Sequence, residues 1–120
     1  MNATLPLRSA GADRVAEALD GDFFRALCEP ARIAILRRLI AIGRADVGAI
    51  AAGFDQDRSV ISRHLAVLKA AGVVFAEPAG RRVYYDIDGP AVLARLRELT
   101  DRLAAVVPTC CPGPRVEARP

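Results

Sequence analysis

The chain has 120 residues, enough for one ordinary domain and too few for two. Hydrophobic residues make up 52% of it, mostly small ones, with no Trp and a formal net charge of +3, which favours closely packed helices over a thick β-sandwich. No apolar run escapes interruption by arginine for long enough to span a bilayer, and the opening "MNATLPLRSAGAD" lacks a secretion signal's basic start and apolar block, so a cytoplasmic protein with reduced thiols is expected.

Along the chain, residues 1–12 read as a flexible arm. The pattern predicts a first helix over 13–19, with Val15, Ala18 and Leu19 on one face. Asp22 is placed to cap a short second helix that carries Phe23, Phe24, Leu27 and Cys28. Pro30 suits the first turn of the next helix, where its missing N–H costs nothing. In that helix Ile33, Leu36 and Ile40 recur at helical steps, and Gly43 ends it. Two helices with a tight joint follow. Asp46 caps the first, with Val47, Ile50 and Ala51 apolar, and Gly53 breaks it. Asp57 caps the second, whose buried face is Val60, Ile61, Leu65 and Leu68 and whose end is Gly72.

The other face of that second helix carries Arg58, Ser59, Ser62, Arg63 and Lys69, the plan of a helix-turn-helix. The apolar period then changes from 3.6 to 2. Runs at Val73–Ala76 and Val83–Ile87 flank Pro78, Ala79 and Gly80, which predicts a hairpin with Arg81 and Arg82 at its tip. Between Arg58 and Arg82 the basic residues outnumber the single acid, Glu77, so the positive charge gathers there. A solvated charged face or an ordinary hairpin, taken alone, has a bland explanation. Together and in this order they make a winged helix-turn-helix, mainly α with a β-hairpin wing. The helix suits a major groove, and the wing arginines reach a phosphate or the minor groove. A last helix through "AVLARLRELTDRLAAVV" spaces Val92, Leu96, Leu99, Leu103 and Val106 as a coiled-coil-like seam. Nothing else in the chain is left to cover that seam, so a second copy is the economical partner. The expected organisation is an arm over 1–12, a DNA-binding and dimerisation domain over 13–107, and a Cys-containing tail over 108–120.

The stretches "FFRALCEPARIAILRRL", "DRSVISRHLAVLKAAGVV" and "GRRVYYDI" resemble the ArsR/SmtB metal-responsive repressors, from about Phe23 to Val107. The resemblance implies a homodimeric repressor that leaves its operator DNA when an inducer binds, and no enzymatic activity. It also implies that Ser59, Ser62, Arg63 and His64 belong to the DNA-reading helix and that Arg81 and Arg82 belong to the wing. His64 is the one histidine, which excludes zinc sites built from several imidazoles.

Three cysteines remain: Cys28, Cys110 and Cys111. An odd number in a reducing compartment argues against a disulfide framework. Cys28 beside Leu27 has an ordinary alternative as a small core residue. The pair in "PTCCPGP" has none, because that setting does not build a packed helix and exposed thiols oxidise. The chain departs from the family's C-x-C-type arsenic cluster, since "FDQDRSV" holds no cysteine. Thiolates select soft ions, and three sulfurs suit the trigonal pyramid of As(III) or Sb(III). Hg(II) or Cd(II) are alternative ions. A sulfide, persulfide or redox sensor using Cys28 and the tail cysteines is an alternative chemistry, and a plain DNA-binding module without inducer is an alternative class.

Overall fold

The apolar periods and their breakers become six helices and a small sheet in a computed structural model that describes residues 5–110. In chain order they are α1 (Leu5–Leu19), α2 (Asp22–Ala26), α3 (Pro30–Ile42), β1 (Ala45–Asp46), α4 (Val47–Ala51), α5 (Arg58–Ala70), β2 (Val74–Ala79), β3 (Arg82–Ile87) and α6 (Gly89–Cys110). Residues 21–93 form one compact unit, and residues 5–20 with 94–110 form a second.

The core of the first unit is Phe23 and Ala26 from α2, Ile35, Leu36 and Leu39 from α3, Ile50 and Ala51 from α4, and Ile61, Leu65 and Leu68 from α5. Ala45, Ala71, Val73 and Val74 close it on the sheet side. Burying a side chain such as Leu65 contributes about 1.5–3 kcal/mol, and this face sets how α5 is presented. On α5 the expected positions Ile61, Leu65 and Leu68 are fully buried, with Val60 half-buried. On α3 the expected face is displaced. Leu36 is buried as read, but Ile33 and Ile40 are exposed while Ile35 and Leu39 are sealed. This helix is apolar on several sides, so the neighbours it packs against select the face.

Helix ends follow local chemistry with two exceptions. Pro30 opens α3, and Gly43 ends it at φ 82°, a left-handed conformation open to glycine. Asp46 caps α4, its Oδ1 accepting the Ala49 N–H at 2.9 Å. Asp57 occupies the cap position of α5 without a side-chain cap bond. Gly21, not Asp22, holds the cap position of α2, and Asp22 is its first helical residue. The helices α4 and α5 with their joint form the helix-turn-helix. Arg38 holds the end of α4 that leads into the joint, donating from Nε to Ile50 O at 3.0 Å and from Nη2 to Ala49 O at 2.8 Å.

The sheet has three antiparallel strands in the order β1-β3-β2. β1 is an addition to the expected hairpin: Ala45 pairs with Tyr85 and Asp46 with Tyr84. The hairpin is longer than its β-rich runs. Pro78 and Ala79 lie within β2, opposite Val83 and Arg82, and Gly80–Arg81 make the turn, with Gly80 at φ 64°. β2 is an edge strand, where a proline's missing N–H is tolerated. Arg44 caps the sheet's face with its guanidinium 4.2 Å from the Tyr84 ring centroid and its Nε 3.0 Å from Glu77 Oε1.

In the second unit the chain departs from the expected arm and tail. Residues 5–12 are helical, so α1 begins well before Asp13. The cause is packing of α1 on α6: Gly11 sits directly under Val106, where no Cβ fits. Arg102 ties the two helices further, its Nη1 donating to Arg14 O of α1 at 2.8 Å, while its Nη2 donates to Glu98 Oε2 within α6 at 2.8 Å. At the other end Pro108, Thr109 and Cys110 continue α6 rather than starting an extended tail. Cys111 and the rest of the expected tail lie outside the described residues.

Candidate nucleic-acid interface

On the first unit, the start of α4, the start of α5 and the wing surround a groove of about 650 Å³. Its lining includes Asp46, Gly48, Arg58, Arg81, Arg82 and Tyr85. Arg58, the first residue of α5, lies over Gly48, where an added Cβ would stand 2.9 Å from its guanidinium. Arg81 stands exposed in the wing's turn. Arg82 is not at the tip but is the first residue of β3, and its Nη1 donates to Asp46 Oδ2 at 2.8 Å. Asp46 is held below the ordinary aspartate range, first by the Ala49 N–H and then by Arg82 and Arg58, while burial opposes the shift.

Ser59, Ser62 and Arg63 project from the exposed side of α5, in its first two turns. Three guanidinium groups in one groove beside this polar helix face make a surface suited to a polyanion. Lys69 is exposed in the last turn, about 16 Å along the axis from Arg58, and does not line the groove. His64 differs from its neighbours in being half-buried. Arg32 Nη1 lies 3.4 Å from its Nδ1, and Arg32 Nε donates to Ala26 O at 2.6 Å. Arginine only donates, so in this contact Nδ1 is the acceptor. His64 thus links α5 to Arg32 of α3, which in turn holds the last residue of α2. Neither Asp46's bond to Arg82 nor Arg32's contact with His64 has a sequence signal, because the partners are 36 and 32 positions apart.

Known proteins resemble this chain in sequence and fold. A family profile described as a helix-turn-helix domain matches residues 27–74. The HTH-type transcriptional regulator Rv2034 of Mycobacterium tuberculosis is 43% identical over 79 residues, covering 66% of this chain and 72% of that one. A crystal structure described as a possible transcriptional regulator for arsenical resistance superposes with a TM-score of 0.60 at 38% identity, covering 69% of this chain and 84% of that chain. A solution structure from Mycobacterium bovis, described as a homodimeric winged helix-turn-helix DNA-binding domain of a possible ArsR-family regulator, matches at 30% identity and a TM-score of 0.51. It covers 88% of this chain and 89% of that one. This chain belongs to the ArsR/SmtB family. It is a DNA-binding transcriptional regulator and not an enzyme.

In this ArsR/SmtB regulator the expected seam of α6 is open to solvent for most of its length. None of the helix's 22 residues is buried, and Leu96 and Leu103 are 42% and 46% exposed. Leu99 and Val106 are half-buried. Val92 departs from the seam, because it packs against the core of the first unit. Among the described residues no helix is long and apolar enough to cross a membrane.

The regulator's cysteines are also placed differently from their expected settings. Cys28 is on the turn between α2 and α3, not on an apolar helix face, and it is exposed with its Sγ 3.3 Å from Phe24 O. Cys110 is exposed at the end of α6, beside an apolar groove of about 380 Å³ lined by Val15, Leu103 and Val106 among others. Among the described residues, no three His, Cys, Asp or Glu side chains gather into a metal-holding group.

Proposed function

We propose that the chain is a homodimeric repressor that binds operator DNA and releases it when a soft thiophilic species, As(III) or Sb(III), engages Cys28, Cys110 and Cys111. The observation that carries the DNA half is the groove that places Arg58, Arg81 and Arg82 beside the exposed Ser59, Ser62 and Arg63 of α5. Such a helix enters a major groove, with Ser59, Ser62 and Arg63 reaching base edges while Arg58 and Arg81 fix the register on phosphates. Two copies joined along α6 would offer two such helices about 34 Å apart, one turn of duplex. The exposed leucines of α6 and the homodimeric Mycobacterium bovis neighbour support that assembly.

The inducer half rests on the donor set. Cys28 and Cys110 are both at the surface, where a thiolate is open to a soft ion, and Cys111 follows Cys110 directly. As(III) or Sb(III), when bound, takes thiolate sulfurs in a trigonal pyramid and so draws them together. Cys28 lies two residues past Ala26, whose carbonyl Arg32 holds while contacting His64 of α5. A pull on that turn is thereby connected to the DNA-reading helix. Mutual antagonism of about 1–3 kcal/mol would weaken DNA binding roughly 5–150-fold.

The test starts from a duplex selected by the reduced protein from a randomised pool. Fluorescence anisotropy then follows its release by arsenite, Hg(II) or a persulfide. Arsenite should release the wild type and fail on the double variant Cys110→Ser, Cys111→Ser, whereas Cys28→Ser should bind arsenite without releasing DNA. Full arsenite-driven release by the double variant overturns the inducer site. Release by persulfide alone replaces the metalloid with a sulfur inducer.

A further inference from the structure

Asp46 stands where the parts of the DNA-facing groove meet. Its Oδ1 accepts the Ala49 N–H at the start of α4, and its Oδ2 accepts Arg82 from the wing. Arg58 of α5 is near enough to act on its charge. The pair is unequal in exposure: the Asp46 side chain is 18% exposed and that of Arg82 is 69%. The carboxylate is thus fixed from below by its cap bond and by strand pairing of Asp46 with Tyr84. The guanidinium comes to it from the solvent side. An ion pair this open leaves the other N–H donors of the guanidinium facing solvent for a second anion.

We propose that Asp46 is a specificity-tuning residue: its carboxylate fixes the direction of Arg82, so that the remaining N–H donors of this wing arginine meet a phosphate only on a duplex that fits the wing. The proposal rests on the DNA-binding function above and adds a device to it. Binding to arbitrary DNA is almost entirely phosphate electrostatics. A carboxylate in the groove subtracts from that attraction, and its bond keeps Arg82 from turning toward a phosphate that lies elsewhere. On a duplex that seats α5 and the wing together, a phosphate meets the exposed side of the guanidinium with the Asp46 pair intact. The attraction is therefore realised on the right sequence and withheld on others, which is how a restraint against wrong partners makes specificity.

The experiment compares the selected duplex with an arbitrary duplex of equal length across a salt series. Asp46→Asn keeps a side chain that caps helices as well as aspartate does. It should tighten binding to the arbitrary duplex about eightfold at about 0.1 M salt and steepen its log–log salt slope by about 0.9, the signature of one more phosphate contact. Affinity for the selected duplex should change much less, so the ratio between the two falls. Arg82→Gln should do the reverse, losing about eightfold on the selected duplex and far less on the arbitrary one. In the Arg82→Gln background, Asp46→Asn should no longer steepen the slope, an outcome that a merely structural role for Asp46 does not produce. Equal effects of Asp46→Asn on both duplexes, or an unchanged slope, overturn the proposal. If Asp46→Asn lost its helical circular dichroism, Arg82→Gln would decide alone, and equal losses on both duplexes would overturn it. Failure of the wild type to select any duplex would remove the DNA-binding function and this inference with it. A selected duplex with no Asp46 effect removes only the inference.

Discussion

Replacing Leu96 on α6 by glutamate tests the proposed dimer. Leu96 is 42% exposed in the single chain, so it adds little to the fold and a great deal to any partner that covers it. Full burial of a leucine contributes about 1.5–3 kcal/mol, so the part still open amounts to about 1 kcal/mol. In a two-fold symmetric dimer the position occurs twice, which makes about 2 kcal/mol, or a dissociation constant raised roughly 30-fold by Leu96→Ala. Leu96→Glu adds the cost of two carboxylates leaving water without partners, about 1–3 kcal/mol each at minimum. The dimer should then weaken by a factor on the order of 10³ to 10⁶. Sedimentation equilibrium gives the dissociation constants, and far-ultraviolet circular dichroism checks that α6 stays helical. Operator affinity should fall in parallel, because each copy supplies one recognition helix. A dimer of unchanged strength in Leu96→Glu would mean that this face of α6 is not the subunit contact.

Two further outcomes follow from the groove. Arg81→Ala should weaken all duplexes alike and flatten the salt slope by about one unit, whereas Arg63→Ala should cost about 1–3 kcal/mol on the selected duplex and relax its sequence preference; equal behaviour of the two variants in anisotropy titrations would contradict their separate roles. Asp46 titrates below its ordinary value near 3.8, so the stability from its cap bond and its arginines is whole above that pH and is lost as pH falls through the lower folded-state value. In urea titrations the stability difference between wild type and Asp46→Asn should shrink below about pH 3.8, and a difference that persists unchanged into stronger acid would refute the assignment.

The features legible in the sequence are those that neighbouring residues decide among themselves. Pro30, Gly43, Asp46 and Gly72 act through their own φ or their own side chain on the adjacent backbone, so helix ends near them could be read directly. Helix α5 has one clear apolar stripe, and Ile61, Leu65 and Leu68 are buried as that stripe requires. The winged helix-turn-helix follows from such local signals in order. Tertiary structure decided the rest. Helix α3 has isoleucine or leucine on several sides, and only its neighbours made Ile35 and Leu39 core while leaving Ile33 and Ile40 outside. Strand β1 is two residues long, too short for a period, and exists because Tyr84 and Tyr85 offer it a partner. Helix α1 reaches back to Leu5 because α6 gives it a surface, with Gly11 under Val106. The bond between Asp46 and Arg82 joins residues 36 positions apart, and no local pattern encodes a contact that exists only once the sheet has closed.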